Sequence, residues 1–206
     1  MPMKLFHSPA SPYARKVMVT AWERDVQASI EILGSSVSPV ARDEAVVTVN
    51  SSGKVPCAIL PDGAPLFDSR VITQYVDSLG KPEGTIYPAD RRFEILTLEA
   101  LGDSIIDACL LCRYEKSMRP KELYWADWYN GQMAKIDSGL DDLEGKWFAS
   151  LTTGGFHAGA IAAACTLGYL DLRFTDKDWR STRPKLAAWF AQVSERKSMQ
   201  ETFPKG

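Results

Sequence analysis

The hydrophobic pattern of the chain changes character once, near residue 80, and this change limits the folds that the chain can adopt. Before it, short apolar runs alternate with helical patterns in the order βαβα and then ββα. After it, every strong pattern has the three-to-four residue spacing of a helix, and a Lys-Pro-Glu-Gly linker stands at 81–84. This order predicts a small mixed sheet with helices on both faces, followed by an all-helical part. We therefore expect domains at 1–80 and 91–206, joined by a linker at 81–90.

The first part carries start signals for two helices. Ser11 and Pro12 place a hydroxyl at the N-cap and a proline at the first helical position. Ser69 stands as the cap of a second run with one apolar face, which ends at Leu79. A weaker helix is predicted from about 40 to 49. The strands are predicted at 3–7, 28–33, 57–60 and 65–67, the last two as a hairpin.

The second part contains one unusually apolar segment. The stretch 147–170 has no charged residue, yet only about 15 of its residues are helical in character, too few to span a bilayer. We interpret it as a buried central helix at 156–170. The other helices are predicted at 91–118, 125–143 and 184–196.

Charge and the first residues narrow the possible partners and compartment. The chain has 24 Lys and Arg against 26 Asp and Glu, a net charge of −2, with no block of five or more like charges. This balance argues against nucleic acid as a partner, because no basic surface would neutralise phosphates. The start resembles neither a signal nor a transit peptide, so a cytoplasmic protein with no membrane segment is expected.

The sequence around the cysteines predicts buried core thiols rather than a redox or metal-binding site. Cys109 and Cys112 form a C-x-x-C motif, but they lie in an apolar helical run without a glycine or proline that would expose them. We interpret them as buried thiols, with a redox pair as the alternative. A zinc site lacks imidazole at ligand spacing, since the only histidines are His7 and His157. No metal is therefore expected.

Three short motifs stand at the ends of predicted elements. Ser11-Pro12-Tyr13-Ala14 resembles the C-P-Y-C of glutaredoxins with both cysteines replaced, so this site cannot exchange disulfides. Lys54-Val55-Pro56 precedes the third strand, where thioredoxin-like folds carry a cis-proline, and Asp68-Ser69 begins the third helix. In order and spacing, these motifs resemble a cytosolic glutathione S-transferase of the bacterial serine or omega-like type. The resemblance covers the whole chain and implies an α/β thioredoxin-like N-terminal domain and an all-α C-terminal domain.

The resemblance also implies how glutathione is bound. Ser69 and its backbone N–H would bind the γ-glutamyl carboxylate, while Asp68 helps to hold the α-ammonium group. Val55 would pair its backbone N–H and C=O with the cysteinyl unit, aimed by a cis bond to Pro56. The cations available for the glycine carboxylate are Arg42 and Lys54.

Ser11 is the implied catalytic residue, and its chemistry is sufficient in magnitude. Lowering a thiol pKa from ~8.5 to ~6.5 requires about 2.7 kcal/mol of selective thiolate stabilisation. A hydrogen bond to a charged group contributes roughly 1.5 to 3 kcal/mol, and a helix N-terminus about 0.3 to 1. The plain alternative is that Ser11 only caps its helix, although one serine can do both. Ser8 is the rival hydroxyl.

The first long helix carries three carboxylates at one helical spacing, namely Glu99, Asp103 and Asp107. Such a stripe is ordinarily solvated. The resemblance offers a second interpretation, in which Asp103 or Asp107 reaches the γ-glutamyl ammonium group bound by a partner subunit. The side chains expected near the electrophile are Tyr13, Arg113 and Tyr114, with an exposed or packing role as the alternative for each.

One position departs from the family pattern. Related transferases usually begin the buried helix with Ser/Thr-x-x-Asp, a capping box, where this chain has His157 and Ala160. The resemblance therefore predicts a missing capping box. Water, a bent loop through Gly154 and Gly155, or the His157 imidazole must then satisfy the first N–H groups.

Together these observations predict a homodimeric glutathione transferase in which Ser11 stabilises the thiolate for attack on a small, largely apolar electrophile, a detoxification type of reaction. Glutathione is the co-substrate, without a metal or prosthetic group. The alternatives are a non-catalytic transferase-like interaction protein, and a glutathione-dependent isomerase or reductase. The absence of a cysteine at positions 10–13 argues against reduction through a mixed disulfide with the enzyme.

Overall fold

The computed structural model describes residues 1–205, which form two compact units, one from 1–89 together with 196–205 and the other from 90–195. The strands are β1 (Met3–His7), β2 (Ile30–Gly34), β3 (Cys57–Ile59) and β4 (Pro65–Leu66). The helices are α1 (Pro12–Glu23), α2 (Glu44–Val49), α3 (Ser69–Leu79), α4 (Arg92–Ser117), α5 (Ala126–Glu144), α6 (Phe148–Thr152), α7 (Ala158–Arg173), α8 (Trp179–Thr182), α9 (Pro184–Ser194) and α10 (Lys197–Glu201). The prediction of a small mixed-sheet domain and an all-helical domain is confirmed.

The sheet of the first unit has the order β2-β1-β3-β4. β1 runs parallel to β2 and antiparallel to β3, which pairs antiparallel with β4. The predicted hairpin forms through a tight turn, in which the Leu60 N–H donates to Ala64 O at 2.9 Å and Gly63 adopts φ 89°. Positive φ is the reason for glycine at this position.

Alternation along β1 places helices on both faces of the sheet. Leu5 packs with Val17 of α1 and Ile72 of α3 in one core. Phe6, the next residue, packs with Val46 of α2 in another. Because successive strand side chains point to opposite faces, α2 lies on the face opposite α1 and α3.

The linker region is tied into the first unit by a buried arginine. Arg24 makes an ion pair with Asp77 at 2.8 Å and donates to the carbonyls of Lys81 and Glu83. Asp77 also accepts from the Ile86 N–H at 3.0 Å. These contacts explain why the first unit continues past residue 80 to 89.

The second unit is organised around α7, which is buried along its length from Ala158 to Leu170. This confirms the interpretation of the uncharged stretch as a central helix. α7 approaches α4 closely, because the Thr166 Oγ1 donates to Gly102 O at 3.1 Å and a Cβ at Gly102 would meet that of Ala162 at 3.0 Å. Within residues 1–205, no helix is both long and apolar enough to cross a membrane.

The start of α7 is capped by His157, although the Ser/Thr-x-x-Asp capping box is absent. The Ala160 N–H donates to His157 Nδ1 at 3.2 Å, and the ring's Nε2 donates to Ser150 O at 3.0 Å. Of the three substitutes that the sequence allowed, the imidazole is the one used. The ring is 2% exposed, and burial lowers the pKa of His157, so the neutral form with a free Nδ1 lone pair is favoured.

The C-terminal segment differs from the predicted single last helix. α9 ends at Ser194, and α10 follows with its own contacts to α1. Arg196 pairs with Glu23 at 2.6 Å, and Arg15 donates to Met199 O at 3.1 Å. Residues 196–205 therefore lie in the first unit, a result of long-range ion pairing that spacing along the chain does not reveal.

Candidate functional site

Ser11 lies between β1 and α1, where the strand's last residues turn into the helix. It is the N-cap, and its Oγ accepts the Ala14 N–H at 3.2 Å. The Ser11 N–H in turn donates to Ser8 O at 2.9 Å, which closes the turn. The capping role is therefore real, but accepting a hydrogen bond leaves the hydroxyl proton free to be donated. An anion at this helix start would accept a hydrogen bond from that hydroxyl and would also be stabilised by the positive end of the helix dipole.

The loop before Pro56 is shaped by a residue that the sequence analysis missed. Asn50 is 2% exposed and donates from Nδ2 to Lys54 O at 3.0 Å, while its Oδ1 accepts from the Ser52 N–H at 3.1 Å. Gly53 has φ 67° in this turn. The only sequence signal at Asn50 is the run Asn-Ser-Ser-Gly at 50–53, which indicates a turn but not burial, because asparagine is common in turns.

The Val55–Pro56 peptide bond is cis. Val55 is half-buried and lies outside the β1–β3 ladder, which begins at Cys57. Its backbone N–H and C=O therefore take no part in that ladder.

The two predicted cations lie at the same loop. Arg42 is exposed and donates to Ser51 O at 2.9 Å, and its Nε would lie 3.3 Å from a Cβ at Gly53. Lys54, the next residue, is also exposed. Both cations thus lie at the turn that precedes Val55.

The start of α3 differs from the predicted one by one residue. Asp68, not Ser69, is the N-cap, and its carboxylate accepts the Arg70 N–H at 3.0 Å. Ser69 is the first helical residue and is 3% exposed. The Ser69 N–H is among the first N–H groups of the helix, which have no intrahelical acceptor.

Comparisons with known proteins agree with this geometry. Residues 10–79 match the family description "Glutathione S-transferase, N-terminal domain", and residues 126–192 match the corresponding C-terminal domain. An uncharacterized GST-like protein, YibF of Escherichia coli K12, is 31% identical over 98% of each chain. The chain belongs to the glutathione S-transferase family.

Solved structures of glutathione transferases give the same result. A family member from Pseudomonas fluorescens Pf-5 with bound glutathione is 43% identical, covers 99% of this chain and 100% of its own, and superposes with a TM-score of 0.96. A structure from the same organism with bound S-(propanoic acid)-glutathione is 42% identical over 98% of this chain and 100% of its own, with a TM-score of 0.91. The predicted family is confirmed, whereas the serine or omega-like subtype stays a prediction.

In the helical unit of this glutathione S-transferase, the acidic stripe on α4 is not solvated as expected. Glu99 and Asp103 are 1% and 2% exposed, and only Asp107 is exposed. The i, i+4 spacing places the three carboxylates on one face but does not reveal that this face is covered at its N-terminal end.

The residues expected near the electrophile occupy two places. Tyr13 is half-buried in the first turn of α1. Arg113 and Tyr114 lie near the end of α4, with the guanidinium carbon 5.9 Å from the Tyr114 ring centre. Tyr169 of α7 lies near Arg113, a neighbour that the sequence analysis missed.

The thiols of this glutathione S-transferase family member lie in its interior. All four cysteines are buried and free, which confirms their interpretation as core thiols. Burial raises the pKa of Cys57 and of Cys112 to about 11, and that of Cys109 further still. In the part of the chain that the structure describes, no group of His, Cys, Asp and Glu is arranged to hold a metal ion.

Proposed function

We propose that this protein binds glutathione in its first unit and activates the thiol for transfer to a small, largely apolar electrophile. The observation that carries the proposal is the Ser11 hydroxyl, whose oxygen caps α1 and whose proton remains available to a thiolate. Bound glutathione in similar transferases supports the choice of co-substrate. Detoxification of reactive compounds in the cytoplasm is the proposed physiological role.

The reaction divides into two steps. The glutathione thiol loses its proton to solvent, and Ser11 stabilises the thiolate by donating its hydroxyl proton in a hydrogen bond. The thiolate then attacks the electrophilic carbon to form a C–S bond, and the leaving group departs with the electrons of the bond that breaks. A hydrogen bond to a charged group supplies roughly 1.5 to 3 kcal/mol, and a partly buried helix N-terminus up to ~2 kcal/mol. Their sum covers the requirement of about 2.7 kcal/mol for a two-unit shift.

Binding of glutathione would use the two helix starts and the loop between them. The Ser69 hydroxyl and N–H would bind the γ-glutamyl carboxylate at the start of α3, with Asp68 near its ammonium group. Val55 would pair with the cysteinyl unit, and Arg42 and Lys54 would meet the glycine carboxylate. Apart from the backbone pairing at Val55, each contact places a charge of glutathione against a group of opposite charge or a hydrogen-bond donor.

We also propose a homodimer. Large apolar side chains are exposed on both units, among them Phe67 and Val71 at 45% and 44% and Phe93 at 82%. Exposed apolar patches of this kind mark surfaces that other proteins cover. Asp107, the exposed member of the acidic stripe, would then contact glutathione bound to the partner subunit, whereas Asp103 is covered within its own chain.

A reductase mechanism is less well supported than transfer. It would need a thiolate of the enzyme, yet the four thiols are buried and the pKa of Cys57 is raised to about 11 by burial. A non-catalytic protein would bind glutathione in the same way as a transferase but would not catalyse its transfer to an electrophile.

Calorimetric titration with glutathione, followed by turnover of 1-chloro-2,4-dinitrobenzene, tests the proposal. We expect glutathione to bind and the chlorinated arene to react faster than in the uncatalysed mixture. Binding without turnover of any electrophile in a broad panel would support the non-catalytic alternative. The absence of binding at millimolar glutathione would overturn the proposal itself.

A further inference from the structure

A cavity of about 310 Å³ lies at the connection between α4 and α5, within the second unit. Its walls come from the end of α4 and from the turn before α5, and its lining residues are Glu115, Lys116, Arg119, Lys121 and Tyr124. The volume is at the lower end of the range for small-molecule sites. The cavity therefore has room for a small ligand, and the proposed thiolate chemistry does not use it.

A buried carboxylate ties the end of α4 to the turn before α5. The side chain of Glu115 is 3% exposed, and its Oε2 accepts from Arg119 Nε at 2.7 Å. Its Oε1 accepts the Trp125 N–H at 3.0 Å. Both carboxylate oxygens thus have a donor, and the charge of Glu115 is paired with one cation, Arg119.

A buried aromatic residue, Tyr129, lies against two other lining residues. The Lys116 ammonium is 4.9 Å from the centre of the Tyr129 ring, and the centre of the Tyr124 ring is 5.8 Å from it. A cation is attracted to the negative face of such a ring. Tyr129, and Asp176 to a smaller extent, raise the pKa of Lys116, although Asp176 forms no ion pair with it. Lys116 and Tyr124 are thus held on one aromatic neighbour.

The lining of the cavity carries an excess of positive charge. Three cations, Lys116, Arg119 and Lys121, stand against the single carboxylate of Glu115, which leaves a net charge of +2. Within residues 1–205, neither lysine makes an ion pair, and the Arg119 guanidinium makes a hydrogen bond only through Nε. Like charges that share one site repel each other, so an anion in the cavity would be stabilised.

Part of this charge has a purely structural explanation. Lys116 lies in the last turn of α4 and Arg119 follows just after it, where the helix dipole favours cations. The dipole does not account for Lys121, which lies beyond the helix in the turn before α5. It also does not account for the cavity, since a helix end favours cations whether or not a ligand has room there.

We propose that this cavity binds the phosphate group of a phosphate monoester. Such a group carries about two negative charges at neutral pH, which matches the net charge of the lining. Its oxygens can accept from the ammonium groups of Lys116 and Lys121 and from the terminal nitrogens of Arg119. A carboxylate or a sulfate monoester carries a single charge and would leave the lining cationic. The site is independent of the proposed glutathione chemistry, because every lining residue belongs to the second unit.

The binding test titrates the intact chain with phenyl phosphate and with phenyl sulfate at about pH 8, where the phosphate is a dianion. The two probes carry a tetrahedral oxyanion on the same ring and differ by one charge. We expect phenyl phosphate to bind at least about tenfold more tightly. Lys121→Gln and Lys116→Gln should each weaken phenyl phosphate about tenfold and reduce its advantage over the sulfate. Lys121→Arg should keep most of the affinity, because it keeps the charge.

Lys146→Gln is the matched control for Lys116→Gln. The Lys146 ammonium is exposed and also lies over an aromatic ring, 5.3 Å from the centre of Trp147. It lies beyond the other end of α5, a helix of 19 residues. Since this helix is about 28 Å long, the control lies several Debye lengths from the cavity and should change the affinity less than about twofold.

Equal affinity for phenyl phosphate and phenyl sulfate would overturn the assignment to a dianionic phosphate. An effect of Lys146→Gln as large as that of Lys121→Gln would overturn the site, because it would show non-specific attraction. Unchanged affinity in both Lys116→Gln and Lys121→Gln would also overturn it, since the phosphate would then bind elsewhere. A thermal melt of each variant detects loss of folding, and the exposed position of Lys121 keeps the test decisive if Lys116→Gln unfolds.

A phosphate monoester can belong to a soluble compound or to the headgroup of a lipid. Leu123 and Trp125, on either side of Tyr124 in the chain, are 60% and 62% exposed, so both sources are tested. Co-sedimentation compares phosphatidylcholine vesicles with and without phosphatidic acid, whose headgroup is a phosphate monoester. Binding to phosphatidic acid that Lys121→Gln abolishes would assign the lipid, whereas binding of phenyl phosphate without vesicle binding would assign a soluble ligand. Binding of neither would overturn the proposal.

Discussion

At the scale of single residues, the candidate site depends on the different positions of Ser11 and Ser69 at their helix starts. Ser11 and Ser69 both stand at helix starts, but Ser11 is an N-cap and Ser69 is the first helical residue. Ser, Thr, Asp and Asn are all good caps, so the sequence Asp68-Ser69 could not decide which residue caps α3. The structure assigns the cap to Asp68, and Ser69 follows it as the first helical residue.

Ser69→Ala should weaken glutathione binding by about 1 to 3 kcal/mol, because one charge-assisted hydrogen bond to a carboxylate is lost. Ser78→Ala is the matched control on the same helix, since the Ser78 hydroxyl is exposed and donates only to Tyr75 O. Calorimetric titration of the three proteins gives the dissociation constants. An unchanged constant in Ser69→Ala would mean that the γ-glutamyl group binds elsewhere.

At the scale of elements, the bounds of a helix or strand were predictable where the local sequence pattern determines them. They were less predictable where contacts with distant parts of the chain determine them. The start of α1 followed from its cap residue and from apolar spacing, whereas the buried helix begins at Ala158 and not at the predicted residue 156. The start of α2 at Glu44 rather than near 40 follows from Asp43, which caps it and accepts the Ser35 hydroxyl at 2.6 Å. α10 and the buried Asn50 depend on partners far along the chain or on burial, which a sequence pattern does not encode.

The His157 cap makes the stability of the second unit depend on pH. Burial lowers the folded-state pKa of His157 below 6.5, so the unfolded chain takes up the proton first as the pH falls. Stability is therefore complete above about pH 6.5 and is lost below it, by up to about 1.4 kcal/mol per pH unit for each such group. His7, whose pKa burial also lowers, contributes in the same direction.

His157→Asn should keep a cap but remove the titration, because asparagine is a good N-cap and does not ionise. The free energy of urea unfolding should then fall less steeply between about pH 7.5 and about pH 5.5 than in the wild type. The residual slope reports His7 and the carboxylates. Identical slopes in the two proteins would show that His157 does not lose its cap on protonation.

The packing of α7 on α4 should respond sharply to a single methyl group. A Cβ at Gly159 would lie 2.5 Å from Leu98 Cβ, so Gly159→Ala should lower the free energy of unfolding by about 1 to 3 kcal/mol. Gly131→Ala on α5 meets nothing within 4 Å and should stabilise the protein by up to ~1 kcal/mol through helix propensity. Urea unfolding of both variants measures this difference in sign. Equal effects would contradict the close approach of the helices.

At the scale of the whole molecule, the family and the two-part fold follow from the order of elements and three motifs. The acidic stripe on α4 is the clearest failure of the same reasoning, because helical spacing fixes a common face but not what covers it. The neighbourhood of Tyr169 and Arg113 was also beyond the sequence, since it depends on how α7 packs against α4.

Association into a homodimer should give a particle of about twice the 22.8 kDa chain mass in light scattering. Phe93→Glu should shift the protein towards the monomer, because it places a charge in a side chain that is 82% exposed in the single chain. Leu123→Glu serves as the control, at another apolar residue that is 60% exposed. If only Leu123→Glu dissociated the dimer, the interface would lie at the connection between α4 and α5 and not at Phe93.

The most direct measurement is the titration of enzyme-bound glutathione, followed by the ultraviolet absorbance of its thiolate. Ser11→Ala should raise the apparent thiol pKa by about one to two units relative to the wild type, since the loss is one hydrogen bond to a charged sulfur. Ser8→Ala, which changes the other hydroxyl of the same turn, should leave the titration where it is. A shift in Ser8→Ala and none in Ser11→Ala would contradict the assignment of Ser11 as the residue that stabilises the thiolate.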